Sequence, residues 1–260
     1  MSSGAFAGAR QQAQVYATVV SDAKSPVTGL SAGDFVLRDG GVRIGVLGAV
    51  PADDPISLAI VVAGFGREHT DDVRAAVTSA VQPIRQRHPA SPIGIVEDAT
   101  VRMLIGPDWS MTIDAALTGE RSAIDGVVLA CQALRDAPPD RRTVLLIVNR
   151  DRDRSPAPAD SFVKQLVANR VSLWTIELES AATSPSTPLD QALSDAARAG
   201  GSMRDVVRTP ADLRAAAIRT ANRWLAQYLV TFTWPEPMVS QFSLVTRHDA
   251  GEVLTPSWFR

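Results

Sequence analysis

The stretch from Leu58 to Gly66, LAIVVAGFG, restricts the fold of this chain more than any other. Leu58 to Ala63 is an unbroken apolar run. It does not alternate as a half-wetted strand would, and it suits a strand buried on both faces by flanking helices. Gly64-Phe65-Gly66 then turns the chain toward a helix opening at Thr70. Strand, tight turn and helix in that order place the strand's carboxyl end at the crest of an open α/β sheet, where such folds carry their sites. The side chains offered there are Ala63, Phe65 and Arg67.

The same alternation continues along the chain. From Pro55 the sequence predicts a strand at Ile56 to Ala63, then a helix capped by the Thr70 hydroxyl. Asp71 and Asp72 sit where the helix dipole favours negative charge. Val73, Ala76, Val77, Ala80 and Ile84 make its apolar face, and Pro83 is expected to kink or end it. Strands follow at Ile93 to Val96 and Thr100 to Ile105, then a helix at Ala123 to Arg135 and a strand at Thr143 to Val148. Next come a helix at Ala159 to Asn169, a strand at Val171 to Leu178 and a helix at Leu189 to Arg198. A short strand at Arg204 to Val207 and a helix at Pro210 to Trp224 complete the series. This order predicts a doubly wound, mostly parallel sheet covered on both faces.

Both ends of the chain read as β. Gln14 to Ser21, Asp34 to Arg38 and Val42 to Val50 are strands, the last two joined by the tight turn Asp39-Gly40-Gly41. Gln227 to Trp234, Gln241 to Arg247 and Val253 to Phe259 are strands at the other end. Neither set can easily bury its own apolar face, so they are expected to pair into one small β subdomain. The division is then 1–54, 55–224 and 225–260. Ser180 to Pro188 reads as a mobile loop.

With 260 residues, 45% of them hydrophobic, the chain can build a full core for an α/β domain and a smaller appendage. Lys+Arg 26 against Asp+Glu 28, with no long run of one sign, gives no clustered basic face for nucleic acid. No apolar run approaches the roughly 20 residues of a spanning helix. The start, MSSGAFAGARQQ, lacks the basic and apolar segments of a secretory leader. Cys131 is alone, so no internal disulfide forms. It falls in the helical stripe Ile124, Val127, Val128, Cys131, Leu134 and reads as a buried small hydrophobe.

Several short motifs carry less than they suggest. Gly64-x-Gly66 lacks the third glycine and the downstream acid of a dinucleotide fingerprint. Gly29-Leu30-Ser31-Ala32-Gly33 matches a nucleophile elbow, but Pro26 precedes it and a strand follows, so it is a turn. His69, His88 and His248 lie on unrelated elements, His69 at a helix start. No carboxylates are spaced as an acid/base pair. Asn149 to Arg154, NRDRDR, alternates in sign and reads as a solvated loop or as a binding rim with Phe65 and Arg67. Arginine and aromatic residues are enriched at interface hot spots. Trp109, Trp174, Trp224, Trp234 and Trp258 read as core or junction packing.

Four stretches together resemble a von Willebrand factor A-type domain of the bacterial group with flanking β segments. They are Val19 to Gly41 (VVSDAKSPVTGLSAGDFVLRDGG), PISLAIVVAGFG, Arg141 to Ser155 (RRTVLLIVNRDRDRS) and Leu193 to Met203 (LSDAARAGGSM), the last with Ala199 where the family has threonine. The strand beginning Gln227-Tyr228-Leu229 extends the likeness over nearly the whole chain. The resemblance implies partner docking at the sheet's crest, through a divalent cation held by an Asp-x-Ser-x-Ser motif, a threonine and an aspartate. In this sequence the motif falls on Ala63, Phe65 and Arg67, the threonine on Ser122 and the aspartate on Asn149. Asp125, Asp151 and Asp153 lie close enough in sequence to supply oxygen. Arg67, Arg150, Arg152 and Arg154 oppose a cation electrostatically. A hard cation needs oxygen ligands, so no metal and no cofactor is expected. The resemblance then implies a non-enzymatic interaction module whose protein partner meets Phe65, Arg67, Ser122, Asp125, Asn149 and Asp151. A structural role through the β subdomain is the alternative, and an enzyme using the strand-end crevice is a third. The resembled group is commonly exported, so a periplasmic or extracellular setting is implied as well.

Overall fold

The computed structural model describes residues 12–97, 100–103, 122–138, 141–153, 155, 159–179, 188–233, 242–247 and 250–259. His248, Trp109, Trp234, Arg154 and residues 180–187 of the expected loop lie outside them.

The strands, in chain order, are β1 (Gln12–Val20), β2 (Phe35–Asp39), β3 (Val42–Ile44), β4 (Val46–Pro51), β5 (Ser57–Ala63), β6 (Ile93–Glu97), β7 (Thr100–Met103), β8 (Arg142–Asn149), β9 (Val171–Leu178), β10 (Arg204–Val207), β11 (Tyr228–Thr233), β12 (Phe242–Thr246) and β13 (Glu252–Leu254). The helices are α1 (Thr70–Arg87), α2 (Ala123–Ala133), α3 (Ala159–Asn169), α4 (Pro188–Gly200) and α5 (Asp212–Leu225).

Six strands form the central sheet in the order β10-β9-β8-β5-β6-β7. All its pairings are parallel except β6 with β7. Every residue of β5 is buried, as its unbroken apolar run requires. The strand side chains alternate between two cores. Leu58, Ile60, Leu145 and Ile176 pack with α1 and α5. Ala59, Val61, Val144, Leu146 and Leu173 pack with α2, α3 and α4. This is the doubly wound arrangement the alternation predicts. Trp174 and Trp224 fill the first core, edge to face with ring centroids 6.2 Å apart.

The terminal segments pair with each other. β1 lies between β11 and β13, and β11 also takes β4, giving the order β13-β1-β11-β4. A three-stranded sheet, β12-β2-β3, packs over it around Val15, Phe35, Leu37, Val230 and Phe232. Two buried arginines tie these sheets to the α/β core. Arg141 donates to the carbonyls of Asp54 (2.5 Å) and Trp224 (2.6 Å), with its guanidinium 5.6 Å from the Tyr16 ring centroid. Burial pushes its pKa down to about 10. Arg223 pairs with Asp205 at 2.6 Å and donates to the Lys24 carbonyl at 2.9 Å.

Local expectations differ from the structure at four points. The strand read as Val42 to Val50 breaks at Gly45, which sends β3 and β4 into different sheets. Pro83 lies inside α1, which continues to Arg87 because Val81 and Ile84 are buried on either side of it. The Thr70 hydroxyl does not cap the helix; it donates to the Arg67 carbonyl at 2.8 Å. A 3-10 turn over Arg67–His69 leads into α1, leaving His69 at the capping position. Past Leu254 the chain leaves the sheet for a 3-10 turn, Ser257–Phe259. The Gly29 to Gly33 motif is a turn, as expected: it leads into a short 3-10 segment in which the Asp34 carboxylate accepts from the Ser31 N–H and hydroxyl, both at 2.8 Å.

Candidate functional site

Taken in chain order, the central sheet runs 3-2-1-4-5-6 from β7 to β10, so the winding reverses between β5 and β8. Open α/β sheets bind ligands outside the carboxyl ends of the strands at that switch point. The topology thus singles out the crest formed by Ala63 and Asn149, the final residues of these two strands.

Three segments converge there. The first is the turn after β5. Gly64 has φ +74, and a Cβ at that position would lie 2.5 Å from the Asn149 carbonyl oxygen. The turn can touch the loop after β8 only because this residue is glycine. Phe65 is partly buried against the α1 side of the sheet and meets the His69 ring edge-on, with centroids 6.0 Å apart. Arg67 is exposed, and its side chain has no hydrogen-bond or ion-pair partner among the described residues.

The second segment is the start of α2. The Ser122 hydroxyl accepts from the Asp125 N–H at 3.2 Å and donates to the Asp125 carboxylate at 2.6 Å. The third is the loop 149–155. Asn149 is buried, and its side-chain oxygen accepts from the Asp151 N–H at 3.2 Å. Its carbonyl receives the N–H groups of Arg152 and Asp153. Asp153 then reaches across to α2. One carboxylate oxygen accepts from the Ala123 N–H at 2.8 Å, the other from the Ser155 N–H at 3.1 Å, and the Ser155 hydroxyl accepts from the Ile124 N–H at 3.1 Å. The first two N–H groups of α2 are thus satisfied by the β8 loop and the next by Ser122, and the loop also brings negative charge to the positive end of the helix. Arg152 closes the crest on the other side with an ion pair to Glu68 at 2.5 Å. A main-chain hydrogen bond and this guanidinium hold the Glu68 carboxyl below its ordinary range.

The candidate residues therefore share one end of the sheet, in different environments. Asn149 is buried, Phe65 is half-buried, Ser122 caps a helix, and Arg67, Asp125 and Asp151 face solvent. Ala63, Phe65 and Arg67 present a methyl, a ring and a guanidinium, none of which is an oxygen ligand for a hard divalent cation. Asp153, the nearest replacement in sequence, is engaged in capping α2. Among the described residues, no three His, Cys, Asp or Glu side chains are grouped to hold a metal.

Sequence reasoning missed a buried ion network beside the crest, beneath α4. Glu177, fully buried in β9, receives both arms of Arg204, at 2.6 and 2.7 Å. Arg150 joins Glu177, Glu179 and Asp190, and Arg204 also reaches Asp190. The hydrogen bonds that Arg204 donates to Glu177, then the Glu177 charge and the bond and charge at Asp190, hold the Arg204 guanidinium above its ordinary pKa despite burial. The available signal was a single acid, Glu177, in the otherwise apolar end of the strand VSLWTIEL. His88 lies at the far end of α1, buried, with no hydrogen-bond partner for Nε2 among the described residues.

No family model matches the chain, and comparison with curated proteins finds no match. Among solved structures, the chain is similar to the SpRpn10 VWA domain, with TM-score 0.45 and 13% identity over 62% of this chain and 94% of that one. It is also similar to an aerotolerance-related membrane protein from Bacteroides fragilis carrying multiple mutations to serine, with TM-score 0.44 and 10% identity over 65% of this chain and 99% of that one. Among the described residues, no helix is long and apolar enough to cross a membrane.

Proposed function

We propose that the chain is a binding module, not a catalyst, and that it docks a protein partner on the β5–β8 crest without a bound cation. The observation that carries this reading is the Asp153 carboxylate on the first N–H of α2. The crest is closed by the protein's own groups, and Arg67 stands exposed beside the half-buried Phe65. Such a surface offers direct polar and apolar contacts through Phe65, Arg67, Ser122, Asp125 and Asp151, with the buried Asn149 holding the loop beneath them. Two measurements test it. A partner recovered with the wild-type protein should lose affinity for Phe65→Ala and Arg67→Glu, and equal recovery by both variants would remove the crest from the interface. Thermal stability should be the same in EDTA and in excess magnesium or manganese. A ligand of the folded state raises apparent stability by mass action, so a clear rise with metal would overturn the cation-free reading.

A second reading places the contacts on the terminal β sheets. It is favoured by the exposure of Val42, Leu47 and Val50 on the edge strands of the two terminal sheets.

A further inference from the structure

β3 ends the order β12-β2-β3, and β4 ends the order β13-β1-β11-β4. Among the described residues, the run Val42 to Pro51 is therefore the outer edge of both terminal sheets, bent at Gly45. Sheet edges present unpaired N–H and C=O groups, and proteins usually blunt them with charges, prolines or a covering element. This edge carries one charged side chain, Arg43, one register shift against β11 at Leu47, and its only proline at the last residue of β4. Val42, Leu47 and Val50 are 70%, 52% and 55% exposed.

The charge on this edge is unbalanced. Arg43 lies directly opposite Arg38 of β2, and both are exposed. Like charges directly opposite each other on one sheet face are destabilising. Ser243, the next residue across the same face, adds no acid, and Asp39 is buried on the opposite face. Neither arginine has a carboxylate partner among the described residues.

We propose that the edge Val42 to Pro51 accepts an extended acidic segment of a partner protein by strand addition. The segment's backbone pairs with β3 and β4, its apolar side chains cover Leu47 and Val50, and one of its carboxylates neutralises Arg38 and Arg43. Main-chain pairing gives such a complex affinity, and alternate side chains give it specificity. The charges select this occupant. A second copy pairing antiparallel through β3 would bring Arg38 and Arg43 against the same two arginines. A nucleic acid or anionic membrane would call for a broader basic surface than two arginines on a chain of net charge −2. The proposal rests on the second reading above and is independent of the crest.

The test uses the full chain and a fluorescein-labelled peptide, Thr-Val-Glu-Val-Glu-Val-Thr, with lysine replacing glutamate in the control. Anisotropy should show saturable binding of the glutamate peptide alone. Arg38→Ser with Arg43→Ser should weaken it by at least about tenfold, the loss expected for a charge-assisted contact. Arg38→Glu with Arg43→Glu should reverse the preference toward the lysine peptide, and Leu47→Asp should weaken both. All these side chains are exposed, so melting temperatures should stay near wild type. Hydrogen exchange should slow at amides 42–51 on binding, and Phe65→Ala with Arg67→Glu should leave binding unchanged. The proposal is overturned by absence of saturable binding, by equal binding of the two peptides, or by unaltered affinity in the Arg38/Arg43 variants. A dimer in sedimentation that dissociates in Leu47→Asp would overturn it in favour of a second copy. Phosphatidylserine vesicles or single-stranded RNA binding more tightly than the peptide would overturn it in favour of those ligands.

Discussion

Replacing Arg204 with methionine removes the centre of the buried ion network while keeping most of the side chain's apolar volume. In the wild type, Arg204 Nε and Nη2 donate to the two oxygens of Glu177, and Nη2 also donates to Asp190 at 2.8 Å. Its Nη1 donates to the Asp190 carbonyl and the Ser194 hydroxyl. The variant leaves Glu177 fully buried, with the Thr175 hydroxyl at 2.8 Å and Arg150 Nε at 3.7 Å as its remaining support. Deleting one partner of a buried pair costs about 3–5 kcal/mol because the other charge stays desolvated. Arg150 keeps part of the compensation, which places the expected loss near the low end, about 3 kcal/mol. For a chain of this size that is a fall in Tm of about 6–12 °C. Glu177→Gln should cost less, about 1.5–3 kcal/mol, because Arg204 keeps Asp190 and Ser194. Thermal melts followed by circular dichroism, in low salt and again in 1 M NaCl, measure both variants. The loss for Arg204→Met should persist in high salt, since buried pairs are poorly screened. A Tm within about 2 °C of wild type, or a larger loss for Glu177→Gln, would refute the reasoning.

Three further outcomes follow from single residues. Burial, then the charges of Arg141 and Arg87, push the His88 pKa below its ordinary value of 6.5, so the folded protein holds it neutral. The unfolded chain therefore takes up the proton first. His88 adds no pH dependence well above 6.5, and stability falls as pH drops through 6.5 toward the depressed value. Melts from pH 7.5 to 5 should show a shallower fall for His88→Gln than for wild type, and identical slopes would contradict this. Burial pushes the Cys131 thiol up to about 12, so a disulfide reagent should leave it unmodified in the native protein and label it only after denaturation. Gly64→Ala places a methyl 2.5 Å from the Asn149 carbonyl at a φ of +74. It should destabilise by about 1–3 kcal/mol or more, measured by urea denaturation, whereas an unchanged midpoint would mean the crest loops do not touch.

The fold was legible because its cause is local and periodic. The apolar runs at Leu58 to Ala63 and Thr143 to Val148 have no wet face, and the helices between strands show one apolar stripe each, which leaves little choice but a covered parallel sheet. The β ends were legible as strands, but their division was not. The break at Gly45 depends on which sheet each half can reach, a property of the assembled molecule. Pro83 does not end its helix for a related reason: a local helix breaker is outweighed when the residues around it, Val81 and Ile84, are buried.

The convergence of the candidate residues at one crest was legible in sequence, and its construction only partly. The turn after β5, Ser122 and Asn149 could be placed at one crest because strand ends and helix starts are visible in the pattern. What the pattern does not disclose is the partner of each polar group. Asp153 looks like a spare metal ligand in sequence, yet its carboxylate is used by an N–H group 30 positions away. Helix N-terminal N–H groups need an acceptor whatever a protein does, and the β8 loop supplies it from both Asp153 and Ser155. That choice has a consequence for binding. A carboxylate committed to a helix cannot turn toward a cation without uncapping α2, so recruiting Asp153 to a metal would cost about 1 kcal/mol or more of helix stability. The neighbouring positions, Ala63 and Arg67, offer nothing to offset it.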